Sequence, residues 1–157
     1  MATTYFQSFM DTFGALDERS RTFDGNDILC PPSEDFGYQN TPKNALTFAS
    51  MGVDGVHFAV LKLGGVVRED SPVVQVSPMD SNDVIVLAGS FLHYLADGCE
   101  VSAQKMQSVF DAERAGERRL LPFLSEHFDG SRLLADKRTH ELTATYGYLV
   151  ERKVECT

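Results

Sequence analysis

Residues 44–63 read Asn44-Ala45-Leu46-Thr47-Phe48-Ala49-Ser50-Met51-Gly52-Val53-Asp54-Gly55-Val56-His57-Phe58-Ala59-Val60-Leu61-Lys62-Leu63. Two short apolar runs, Ala45 to Ala49 and Val56 to Leu63, flank a turn rich in glycine and aspartate. Such turn residues tolerate positive φ, and the connection is too short for a parallel crossover, so the two runs are expected to pair as an antiparallel hairpin. The pattern continues downstream. Val73 to Val76 and Val84 to Leu87 are further apolar runs, separated by Gly64-Gly65, Ser71-Pro72 and Ser77-Pro78-Met79-Asp80-Ser81-Asn82. Four strands in a mainly antiparallel meander over residues 44–87 follow from this punctuation.

On either side the period changes. Tyr5, Phe6, Phe9, Met10, Phe13 and Leu16 recur at three and four residues behind Thr3 or Thr4, which predicts an amphipathic helix over 4–16. From Arg19 to Lys43 the chain turns to Asp, Gly, Asn, Ser and Pro, including Asp24-Gly25-Asn26-Asp27 and Cys30-Pro31-Pro32, and is expected to be a long surface loop. Beyond the sheet, Ser90 is placed to cap a helix carrying Phe91, Leu92 and Leu95, with Gly98 ending it through a left-handed residue. Ser102 heads a second helix with Met106, Val109 and Phe110, and Leu120, Phe123, Leu124, His127 and Phe128 form a third stripe with Pro122 near its first turn. The last segment fits two patterns: Leu134, Arg138, Leu142 and Tyr146 sit at helical four-residue steps, while Leu142, Ala144, Tyr146, Tyr148 and Val150 alternate as in a strand. Helix to about Tyr146 and then a short extended tail is the favoured reading. The whole reads as one α+β domain over 1–157: a central, mainly antiparallel sheet flanked by helices, with residues 90–146 mainly helical.

A chain of 157 residues buries roughly 70% of its unfolded surface, enough for a real core. With 43% hydrophobic and 24% charged residues, it falls outside the disordered, collagen-like and disulfide-dense classes. No apolar run approaches the roughly 18 residues of a membrane span, and no secretory leader pattern opens the sequence, so no membrane association and a cytoplasmic location are expected. The formal net charge of −9 disfavours nucleic acid and anionic lipid as direct partners; its simpler reading is solubility, and its sharper one is an acidic face complementary to a basic protein. Cys30, Cys99 and Cys156 are odd in number and far apart, without metal-ligand spacing, and read as reduced structural thiols.

The search for chemistry leaves few candidates. Ala88-Gly89-Ser90-Phe91-Leu92 sits at a strand-to-helix junction but lacks the second glycine of a nucleophile elbow, and Ser90 is explained by capping. His57, three residues after Asp54, is the most suggestive histidine. Alternation nevertheless sets it on one sheet face with Ala59, Leu61 and Leu63, where a hydrogen-bonded core histidine is the simpler reading. His93 falls on the polar side of its helix, neither His127 nor His140 has a ligand partner at i+3 or i+4, no calcium loop continues from Asp24, and no glycine pattern fits a phosphate or dinucleotide site. The run Glu113, Arg114, Glu117, Arg118 and Arg119 reads as a solvated face. No cofactor, metal or catalytic residue is therefore assigned.

Several segments resemble a known family. Thr41-Pro42-Lys43-Asn44-Ala45-Leu46-Thr47-Phe48-Ala49-Ser50, Gly52-Val53-Asp54-Gly55-Val56-His57-Phe58, Ser71-Pro72-Val73-Val74 and Ser90-Phe91-Leu92-His93-Tyr94-Leu95 look like the bacterial SUKH superfamily of Smi1/Knr4-like proteins. The likeness lies in their order: a glycine-rich hairpin, a proline-started strand, and a last strand leading into a Ser-Phe-x-x-x-Leu helix. It covers about residues 41–100. The resemblance implies an antiparallel sheet flanked by helices and no catalytic constellation. It also implies the role of many bacterial members, immunity proteins that neutralise toxin domains, often nucleases, by binding them. On that reading Asp24, Asp27, Glu34, Asp35, Asp54, Asp70 and Asp80 are the candidate contacts. The alternatives are a small-molecule enzyme using Asp54 and His57, or a regulatory module that binds a ligand or helix beside the Tyr5 to Phe13 stripe.

Overall fold

The computed structural model describes residues 3–154, so Cys156 lies outside the described residues. Six strands, β1 (Thr22–Phe23), β2 (Asn26–Ser33), β3 (Ala45–Ser50), β4 (His57–Leu61), β5 (Val73–Val76) and β6 (Val84–Ala88), form one sheet. Each pairs antiparallel with its neighbour in sequence order. Among the described residues there are also five α-helices: α1 (Tyr5–Gly14), α2 (Phe91–Gly98), α3 (Ala103–Arg114), α4 (Leu120–His127) and α5 (Asp136–Tyr146). The expected α+β architecture, a largely antiparallel sheet flanked by helices, is what the chain adopts.

The reading of residues 19–43 as a loop is corrected. A 3-10 turn at Glu18–Ser20 is followed by the hairpin of β1 and β2, whose tip is Asp24-Gly25. Both tip residues have positive φ, 54° and 76°, the backbone of the two-residue turn that matches strand twist, and glycine enters that region at no steric cost. β2 then runs through Pro31 and Pro32, which have no N–H to give. Its register against β3 shifts between Ile28 and Ser33, across these prolines.

The two faces of the sheet are covered differently. Phe6, Phe9, Met10 and Phe13 of α1 are buried with Phe23, Phe48, Phe58, Phe91, Leu95 and Phe110, so the aromatic stripe of α1 belongs to the core. Phe9 stands at its centre, edge-on to Phe23, Phe48 and Phe91 at centroid distances of 5.0–6.2 Å. The opposite face, with Ala59, Leu61, Val74, Val76, Val84 and Val86, is packed by Leu142 and Tyr146 of α5 and by Leu149 and Val150 beyond it. α5 ends at Tyr146 and passes through a 3-10 turn at Gly147–Leu149 before the extended tail. Arg138 of α5 donates to the Leu87 carbonyl and meets Asp97 at 2.5 Å, tying α5 to both β6 and α2.

Caps set the helix starts. Thr4, Ser90 and Ser102 each accept from the backbone N–H three residues on, at 3.0–3.1 Å. The left-handed residue after α2 is Glu100, with φ 55°, and not Gly98. Gly98 is needed for a different reason: the Phe128 ring lies where its side chain would be. Arg114 is exposed, as expected of a solvated face, and from there lies over the ring of Tyr5 at 4.7 Å and donates to Ser8 and to the Thr3 carbonyl.

Candidate functional site

Register places four of the seven candidate carboxylates together. Thr22, Asp27, Ser50, His57, Val76 and Val84 are successive pairing partners and form a row across all six strands. The turns β1–β2, β3–β4 and β5–β6 all lie beyond this row, at one end of the sheet. They carry Asp24, Asp54 and Asp80, and Asp27 lies in the row itself. At strand spacings of about 4.8 Å the three turns span roughly 20 Å.

All four of these carboxylates are exposed, and the three turns contain no Lys or Arg. The imbalance extends through the sheet: residues 22–104 hold eleven Asp and Glu against Lys43, Lys62 and Arg68. Between the acids stand exposed apolar side chains. Met79 is 79% exposed, Val53 58%, and Met51 is exposed in the same turn as Val53. Sequence reasoning missed these three because only the register shows that separate turns share one end.

The other three candidates are placed elsewhere and are ion-paired. Glu34 meets Lys62 at 3.2 Å, and Asp70 meets Arg68 at 3.2 Å at the opposite end of the sheet. Asp35 accepts from the Gly37 N–H at 2.9 Å and from Lys153 at 3.1 Å, and these contacts hold its carboxyl below the usual carboxylate value. Asp83, in the β5–β6 turn, is likewise neutralised, by Arg152 at 2.9–3.0 Å and Asn40 at 2.7 Å.

His57 and Asp54 do not converge on an open site. His57 is fully buried, whereas Asp54 sits exposed in its turn with φ 54°. His57 Nδ1 lies 2.7 Å from the Gly55 carbonyl, which fixes the proton there, and Nε2 therefore accepts from the Thr41 hydroxyl at 2.9 Å. The ring is flanked by Phe36 and Tyr38. Burial lowers its pKa from 6.5, with the Gly55 bond opposing and Lys153 adding to the shift. A neutral ring with both nitrogens occupied is a structural element, not a proton shuttle.

Ser90 approaches a histidine closely: its Oγ lies 2.7 Å from His93 Nδ1 beside a cavity of about 500 Å³ lined by Leu92, Leu142 and Tyr146. The same Oγ accepts the His93 N–H, so the pair is part of the helix cap. No carboxylate orients His93 among the described residues. Cys99 is buried, and burial pushes its thiol up to about 11, whereas Cys30 is exposed. Among the described residues no three His, Cys, Asp or Glu side chains are placed to hold a metal ion, and no helix is long and apolar enough to cross a membrane.

A second feature adjoins the acidic end. Asp24, Asn26, Met51, Tyr94, Asp129 and Leu134, with other residues, line a cavity of about 250 Å³ between the sheet and the 3-10 turn Gly130–Leu133. Asp24 accepts the Gly130 N–H at 2.8 Å. Burial, reinforced by the charge of Asp129 and opposed by the Gly130 bond, raises the Asp24 pKa. Asp129 is held low by the Ser131 hydroxyl and N–H, at 2.7 and 3.0 Å. No protein-family model, curated protein or solved structure matches this chain.

Proposed function

We propose that this chain is a non-enzymatic protein-binding domain of the SUKH type, an immunity protein that neutralises a basic toxin domain, such as a nuclease, in the cytoplasm. The observation that carries this reading is the turn end of the sheet. There Asp24, Asp27, Asp54 and Asp80 stand exposed around Met51, Val53 and Met79, with no cation in the three turns. A groove that binds nucleic acid is basic, so a surface of this charge is complementary to it, and the interspersed apolar side chains add desolvation area to the steering.

The reading is tested by titrating the protein with a basic nuclease toxin domain encoded beside it, by calorimetry at about 50 mM and about 300 mM salt. A complex that weakens with salt is expected, together with a loss of about tenfold or more in affinity for Asp27→Asn combined with Asp54→Asn and Asp80→Asn. Absence of any complex at the lower salt overturns the proposal.

A further inference from the structure

The cavity next to the acidic end has a composition of its own. Its volume of about 250 Å³ falls below the roughly 300–1,000 Å³ of small-molecule sites, and it is sized for one side chain rather than a metabolite. Phe58, Leu87 and Leu133 give it apolar walls, while exposed Met51 and Leu134 lie at its opening. Two polar side chains lining it are almost wholly buried, Tyr94 at 4% and Asn26 at 8% exposure. Neither the Tyr94 hydroxyl nor the Asn26 amide hydrogen-bonds another described residue, and neither is a sealed orphan: the polar side-chain atoms buried without a partner among the described residues are Arg21 Nε and Thr47 Oγ1, so these two groups stay open to the cavity.

The charges at the cavity are of one sign. Asp24 and Asp129 each commit one oxygen to the 3-10 turn and keep the other free. Arg132, whose charge helps to lower the Asp129 pKa, is otherwise engaged: its guanidinium donates to the Gly98 and His127 carbonyls at 2.7–2.8 Å and lies 3.7 Å from Glu100.

We infer that this cavity is an anchor pocket for an arginine side chain of the protein partner, with the alkyl stem between Phe58 and Leu133 and the guanidinium between Asp24, Asp129 and the Tyr94 hydroxyl. The inference rests on the protein-binding reading above and names the residue of the partner that reads this surface. Arginine fits better than lysine because its planar fork offers donors to two carboxylates at once and packs against aromatic faces. A buried arginine in a desolvated pocket is also the kind of side chain that dominates interface energies.

The probe is Nα-acetyl-arginine N-methylamide, titrated into the full chain and followed by amide NMR shifts, with the citrulline analogue as a neutral match. Shifts centred on Asn26, Met51, Gly130 and Ser131, weakened at least about threefold on raising salt from about 20 to about 200 mM, are expected for arginine and not for citrulline. Asp24→Asn with Asp129→Asn abolishes them, Tyr94→Phe weakens binding about threefold, and Asp54→Asn with Asp80→Asn leaves binding within about twofold. Equal response to citrulline, or shifts centred elsewhere, overturns the pocket. A toxin domain that binds wild type and the Asp24/Asp129 variant alike, yet loses affinity with the Asp54/Asp80 variant, also overturns the pocket while sustaining the docking surface. Arginine binding in the pocket without any toxin complex sustains the pocket and overturns the proposed partner.

Discussion

Thr41 Oγ1 donates to His57 Nε2 at 2.9 Å, and this one bond joins the loop after β2 to the first residue of β4. Both residues are fully buried, so the pair has no water to fall back on. Thr41→Val keeps the shape and strands the nitrogen. It is expected to cost about 1–3 kcal/mol in urea unfolding at neutral pH.

The same histidine gives stability a pH dependence. Its folded pKa lies below the unfolded 6.5, chiefly through burial. The unfolded chain therefore takes up the proton first, and the contribution of His57 is complete above 6.5 and declines as pH falls through the folded value. Urea midpoints measured across this window should fall with pH for wild type and flatten for His57→Gln. A wild-type midpoint that rises as pH drops towards 5 contradicts this assignment.

Gly98 and Phe128 make a tighter test of packing. The Phe128 ring occupies the place of a Gly98 side chain and also packs, tilted, with its centroid 4.4 Å from that of Phe23 and 5.5 Å from that of Tyr94. Gly98→Ala should push the ring out of this cluster and cost about 1–3 kcal/mol, despite alanine's better helix propensity. Near-ultraviolet circular dichroism reports the ring displacement, and an unchanged spectrum with unchanged stability contradicts it.

Asp83 and Arg152 pin the tail to the β5–β6 turn. The Arg152 bond holds the Asp83 carboxyl below its ordinary 3.8, with burial opposing and Asn40 assisting. The contribution of this pair is complete above that value and disappears as pH falls through the folded one. Arg152→Ala is expected to cost only about 0.5–1 kcal/mol at pH 7, because Arg152 is largely exposed, and the difference from wild type should vanish in acid. Amide exchange near residues 150–153 should quicken in the variant.

Legibility differed sharply between parts of the chain. β3 to β6 could be read because short, mainly apolar runs were separated by Gly, Pro, Asp or Asn, and the helix caps Ser90 and Ser102 stand where sequence rules put them. β2 was hidden because Asp27, Cys30, Pro31 and Pro32 give it the composition of a loop. Its real signals were the Asp24-Gly25 turn and the alternation of buried Asn26 and Ile28 with exposed Asp27. The anchor pocket had no local signal: Asp24 and Gly130 meet across 106 residues, and only the docking of the 3-10 turn on the sheet makes them neighbours. The candidate acids could be named from the sequence, but which of them have a counter-ion is a matter of tertiary contact.

The Thr143 hydroxyl on the Val86 N–H, at 3.0 Å, removes a donor from the middle of the outer strand β6, and the other border strand, β1, is only two residues long. Ladders of copies zipped side to side need long rows of free donors and acceptors. A chain so finished at both borders is suited to be stockpiled at high concentration, ahead of need, without templating its own fibres.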